Sequence, residues 1–194
     1  MKNVVWLAVA LLFMAGTAWL VTAHGQEAAP AAKKAAEQQF GFIGSQSCKS
    51  CHSSAEKGAQ FTKWQESLHA RAYKTLLTDE SKTIAQKMKI AKPPQEAPEC
   101  LRCHVTGWNA KAELRGPKFD ATEGVGCESC HGPAAEWKTP HMKDPAKALT
   151  LGMIHPDEAL CVCCHNPESP TYKEFKYAEA VKVIAHPNPK KAAK

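Results

Sequence analysis

Cys127-Glu128-Ser129-Cys130-His131, framed by Gly124-Val125-Gly126 and Gly132-Pro133, is one of four copies of a five-residue pattern. The others are Cys48-Lys49-Ser50-Cys51-His52, Cys100-Leu101-Arg102-Cys103-His104 and Cys161-Val162-Cys163-Cys164-His165. The stretches between copies are 47, 22 and 29 residues long, so the chain is no solenoid of fixed period. With this content of Cys and His, chance yields roughly 0.02 such patterns per chain. Zinc sites share paired cysteines but do not require His directly after the second Cys, and disulfides have no use for that His at all.

Cys-x-x-Cys-His is the attachment sequence of c-type haem. Two thiols on one helical turn match the spacing of the two haem vinyl groups, and the adjacent His reaches the iron. The sequence therefore predicts four covalently bound c-type haems. Their attachment residues are Cys48, Cys51, Cys100, Cys103, Cys127, Cys130, Cys161 and Cys164, and their proximal ligands are His52, His104, His131 and His165. Cys163 is left over as an odd thiol within the fourth motif.

The rest of the composition agrees. Aromatic residues make up 7% of the 194 residues, too little for an ordinary core of this size. Four haems would supply what the side chains do not. The expected fold is mainly α: short helices and long loops wrapped around closely packed haems, with little or no β. The spacing of Trp64, Leu68, Ala72 and Leu76 predicts an amphipathic helix over 60–77. Thr78 and Asp79 start a second helix to about Ile90. Pro93, Pro94 and Pro98 predict a loop, as do the glycines of 105–126. Pro156 with Asp157 and Glu158 opens a helix into the fourth motif, and Glu174 to Ile184 forms the last one. Trp108 and Trp137 read as haem-packing aromatics, and Lys82, Lys87 and Lys89 as solvated surface.

Val4 to Val21 is uncharged after Lys2. It reads as a secretory signal cleaved after Ala23 or as an uncleaved membrane anchor through residues 4–21. Both place the remainder outside the cytosol, in the periplasm or on the outer cell surface. Residues 24–39 read as a flexible Ala- and Lys-rich linker, 40–190 as the tetrahaem domain and 191–194 as a disordered tail. The formal charge of +6 suits an acidic partner, but scattered lysines on an exported chain make nucleic acid a poor one. Each ferric haem adds about −1 and each ferrous haem about −2, bringing a mature chain of roughly +5 to roughly +1 oxidised and −3 reduced.

Five histidines lie outside the motifs. His24 falls in the linker. His69, His141, His155 and His186 remain as distal ligands for four irons. Met88, Met142 and Met153 are the competing ligand types, although Met more often serves as packing. Which distal ligand serves which haem stays open at this level.

Trp64-x-x-Ser67-x-His69-x-Arg71-Ala72, Cys103-His104-x-Thr106-Gly107 and the stretch Gly124 to Pro133 resemble the cytochrome c-554 family of tetrahaem cytochromes. The resemblance covers about 45–187. It implies an electron-transfer protein with a helical, haem-packed fold and stacked haem pairs, and it implies His69 and His186 as distal ligands. The family often has a His near the place held here by Trp137, and His141 one turn later is the substitute. In the namesake type one haem lacks a strong sixth ligand.

Three functions follow in order. The first is an electron carrier between other redox proteins, such as cytochromes and quinol-oxidising or terminal reductase complexes. The second is a wiring subunit of a haem filament or membrane respiratory complex. The third is a reductase of a small nitrogen or sulfur oxide, which needs one five-coordinate iron. Multihaem reductases often carry Lys in place of the motif His at the catalytic haem. All four motifs here end in His, which weighs against the third.

Overall fold

The computed structural model describes residues 40–186 and 189. The signal or anchor, the linker with His24, and the C-terminal tail lie outside the described residues. Among the described residues no helix is long and apolar enough to cross a membrane.

Among the described residues nine short helices are joined by loops and 3-10 turns: α1 Lys49–His52, α2 Gln60–Glu66, α3 Ala72–Thr75, α4 Asp79–Lys87, α5 Pro98–His104, α6 Cys127–His131, α7 Pro145–Thr150, α8 Glu158–Cys161 and α9 Tyr177–Ile184. The described residues contain no strand, only one isolated parallel bridge between Phe42 and Arg115. The mainly α expectation therefore holds.

Local chemistry explains several boundaries. Thr78 caps α4 by accepting from the Ser81 N–H, with Asp79 and Glu80 in the first turn. Asp157 caps α8 by accepting from the Leu160 N–H at 2.9 Å. Pro98 is not part of a loop but the first residue of α5, where its missing N–H costs nothing.

The single helix expected over 60–77 is broken. Ser67 is extended, with ψ 165°, and its hydroxyl donates to the Trp64 carbonyl at 2.7 Å, closing α2. The chain restarts as a 3-10 turn at His69–Arg71 and then α3. The break turns Leu68 outward, 78% exposed, so the stripe Trp64-Leu68-Ala72-Leu76 does not share one face.

The buried apolar set is thin. It comprises Phe42, Phe61, Leu76, Val105 and Trp137 with five alanines. The exposed apolar side chains include Leu68, Met142, Ile154, Val162 and Val183. Four of these five are neighbours in sequence of a candidate ligand or attachment residue: Leu68 of His69, Met142 of His141, Ile154 of His155 and Val162 of Cys161.

Three carboxylates fasten residues 41–46 to the third motif and its flanks. Glu136 accepts from the Gly41 N–H at 3.2 Å. Glu123 accepts from Ser45 at 2.7 Å and Gln46 at 3.4 Å. Glu128 accepts from Gly44 at 2.8 Å, Ala134 at 2.7 Å and Ile43 at 3.0 Å. Ser45 is buried and its hydroxyl accepts from the Cys127 N–H at 3.1 Å. The approach to the first motif is thus laid directly on the third.

Candidate functional site

Each motif is built on a helical turn. The His52 N–H donates to the Cys48 carbonyl at 3.1 Å and the His165 N–H to Cys161 at 3.0 Å, so first Cys and His are related by one turn. None of the nine cysteines forms a disulfide.

The fold brings motifs together in a definite order. Cys48 lies against Cys127, Cys103 against Cys164, and Cys130 near Cys161. The first motif therefore lies beside the third, the second beside the fourth, and the third beside the fourth.

The histidines meet across these junctions. His52 faces His141 with ring centres 6.1 Å apart. His69 faces His165 at 6.0 Å. His131 faces His186 at 5.9 Å. Two imidazoles on one iron, each nitrogen about 2 Å from the metal, have ring centres about 6 Å apart. The residues present therefore fit haem iron at three places.

Hydrogen bonds hold several of these rings with one nitrogen free for a metal. The Nδ1 N–H of His186 donates to the Ile184 carbonyl at 3.0 Å, and that of His141 to the Lys138 carbonyl. His52 Nδ1 meets Gln60 Oε1 at 3.3 Å. His104 Nδ1 donates to the Ala72 carbonyl at 2.7 Å, with Thr75 Oγ1 at 3.2 Å. Burial, and after it the paired imidazole, pulls His69 and His131 below the usual histidine value, favouring the neutral form that binds metals.

His69 is placed by the third-motif approach. The Val125 N–H donates to the His69 carbonyl at 3.0 Å, and the Trp64 indole N–H donates to the Val125 carbonyl at 2.8 Å. Gly124 permits this approach: it has φ +81°, and a Cβ there would lie 2.6 Å from the His69 oxygen.

His104 and His155 stand apart. Among the described residues no imidazole stacks across from His104. His155 is exposed and lies on the His131 side, where the Ile154 N–H donates to the His131 carbonyl at 3.0 Å. Sequence reasoning missed the Glu128, Glu123 and Glu136 clasp. Its only trace in the sequence is an acidic residue inside the third motif. Trp137 is buried, edge-on to His141.

Four attachment motifs on helical turns, a thin polypeptide core and facing imidazoles define a multihaem c-type cytochrome with four covalently bound haems. Residues 47–132 match the family described as cytochrome c554 and c-prime. The chain is 34% identical over 152 residues to cytochrome c-554 of Nitrosomonas europaea, a match covering 70% of this chain and 62% of that protein. It thus spans less than two thirds of that relative's length. The solved reduced state of cytochrome c554 from the same organism matches at 28% identity with TM-score 0.49, covering 80% of this chain and 82% of that one. Over residues 47–132 the chain is thus similar to the cytochrome c554 family.

Proposed function

We propose that this chain is an exported tetrahaem electron carrier working between other redox proteins. The haems supply one-electron chemistry; the chain sets their axial ligands, burial and neighbours. In this reading Cys48 and Cys51 hold the first haem between His52 and His141. Cys127 and Cys130 hold the third between His131 and His186. Cys161 and Cys164 hold the fourth between His165 and His69. Cys100 and Cys103 hold the second on His104. The supporting observation is the set of three imidazole pairs at 5.9–6.1 Å. The abutting motifs give the series first, third, fourth, second, a continuous route from one end to the other. The Val4 to Val21 run supports export.

One observation favours a second reading at the second haem. No imidazole faces His104 among the described residues, so its iron would keep an open or weakly filled sixth position. That is the requirement for binding a small nitrogen or sulfur oxide. His52, His131 and His165 are each closed by a second imidazole and would take no such ligand.

Low-temperature EPR of the ferric holoprotein, with haem counted per chain, tests both. The expected result is four haems, three low-spin and one high-spin, the last binding cyanide or nitric oxide. Four low-spin haems that ignore both ligands would remove the second reading. Two or more high-spin haems would overturn the ligand pairing itself.

A further inference from the structure

The three imidazole pairs differ in the angle between their planes. His52 and His141 are nearly aligned, at 23°. His69 with His165, and His131 with His186, are crossed at 67°. Something must hold His141 near alignment, since a ring tethered to the chain through one bond can turn about it.

Two contacts restrain that ring. Its Nδ1 N–H donates to the Lys138 carbonyl. Its other restraint is Trp137, whose indole stands edge-to-face at 5.5 Å and 89°. Trp137 is itself immobilised. It is 8% exposed and packs with Ala134 and Ala148, with Ile43, Leu151 and Met153 around them. The turn between them is closed by the His141 N–H donating to the Trp137 carbonyl at 2.9 Å. The indole Nε1 is buried without a hydrogen-bond partner. An orphaned buried donor costs about 1–3 kcal/mol. An aliphatic side chain would pack the same cluster without that cost, so packing alone does not account for an aromatic ring here.

We infer that Trp137 is a positioning residue: its indole fixes the plane of His141 and so makes the first haem the one with aligned axial ligands. This rests on His52 and His141 sharing one iron. Aligned imidazoles separate the two iron d orbitals that interact with them, giving a rhombic EPR spectrum with three well-resolved g values. Crossed imidazoles leave those orbitals nearly degenerate, giving one large g value. The ferric holoprotein should therefore show one rhombic low-spin set and two large-g sets.

Trp137→Leu removes the ring edge and leaves the Lys138 contact. The expected spectrum keeps all low-spin haems, with the rhombic set broadened or shifted to a larger top g value and the large-g sets unmoved. Trp137→Phe, which keeps a ring edge, should restore most of the original set. An unchanged rhombic set in Trp137→Leu would overturn the assignment. If Trp137→Leu yields no holoprotein, Trp137→Met fills the site without a ring and is judged by the same criterion. His141→Ala separates this from the ligand reading. Loss of the rhombic set there, with no change in Trp137→Leu, would refute only the bracing role. Persistence of the rhombic set in His141→Ala would refute the ligand pair.

Discussion

Replacing Glu128 with Gln tests whether the clasp on residues 41–46 is a true structural bond set. Glu128 is 4% exposed, and its two oxygens serve three backbone N–H groups: Ile43, Gly44 and Ala134. Oε1 takes Ala134 and Oε2 takes Gly44, so either orientation of a glutamine amide places NH2 against a backbone donor. One charge-assisted bond worth about 1.5–3 kcal/mol is lost, and the others weaken to the neutral range of about 0.5–1.5 kcal/mol. Part of this is offset, because burial raises the Glu128 carboxyl against the pull of its hydrogen bonds. The net expectation for Glu128→Gln is about 2 kcal/mol of destabilisation, and for Glu128→Ala, which orphans all three donors, about 3–5 kcal/mol. Guanidinium unfolding of the haem-loaded protein, followed by far-UV circular dichroism, measures both. A Glu128→Gln cost under about 0.5 kcal/mol would refute the reasoning, since it would mean the three bonds are no better than those to water.

Other outcomes follow from the same structure. His69→Ala and His186→Ala should each convert one low-spin haem to high-spin, whereas His155→Ala should leave the spin-state count unchanged; EPR reads all three. Cys163→Ser should retain four haems by mass spectrometry, while Cys164→Ser should lose a thioether at the fourth. Gly132→Ala should cost about 1–3 kcal/mol or more in thermal unfolding, because Gly132 has φ +83° and a Cβ there would sit 2.1 Å from the Gly152 oxygen. Breaking the exposed Arg102–Glu168 pair, 2.9 Å apart, with Glu168→Gln should change stability by less than about 1 kcal/mol.

Attachment chemistry could be read from the sequence because it is local: five consecutive residues carry it, four times. Helix starts at Thr78 and Asp157 were equally readable, since a cap speaks only to the next turn. The break at Ser67 was not, because four apolar residues at helical spacing outweighed one serine whose hydroxyl closes the helix after the first of them. Ligand pairing lay beyond reach for a different reason. Val125 and Trp64 hold His69 at the approach to the third motif, and there it faces His165 from the fourth. Nothing within either stretch names the other. His155 looked like His141 in sequence, each beside a proline, yet only His141 faces a motif histidine, while His155 comes beside His131 without facing it. Glu128 was invisible in the same way, since the donors it serves at Ile43 and Gly44 lie far away in the chain.

The three facing imidazole pairs also interlace along the chain. Residue 52 closes with 141, 69 with 165, and 131 with 186, so every span overlaps both others and none is contained within another. A cut anywhere between 131 and 141 would sever all three at once. Four copies of one motif suggest four separable modules, but this topology denies it. No fragment holding only two adjacent motifs contains a complete set of partners for both. The repeated element is a unit of chemistry only, and all three pairs close together only when folding has gathered residues 52–186.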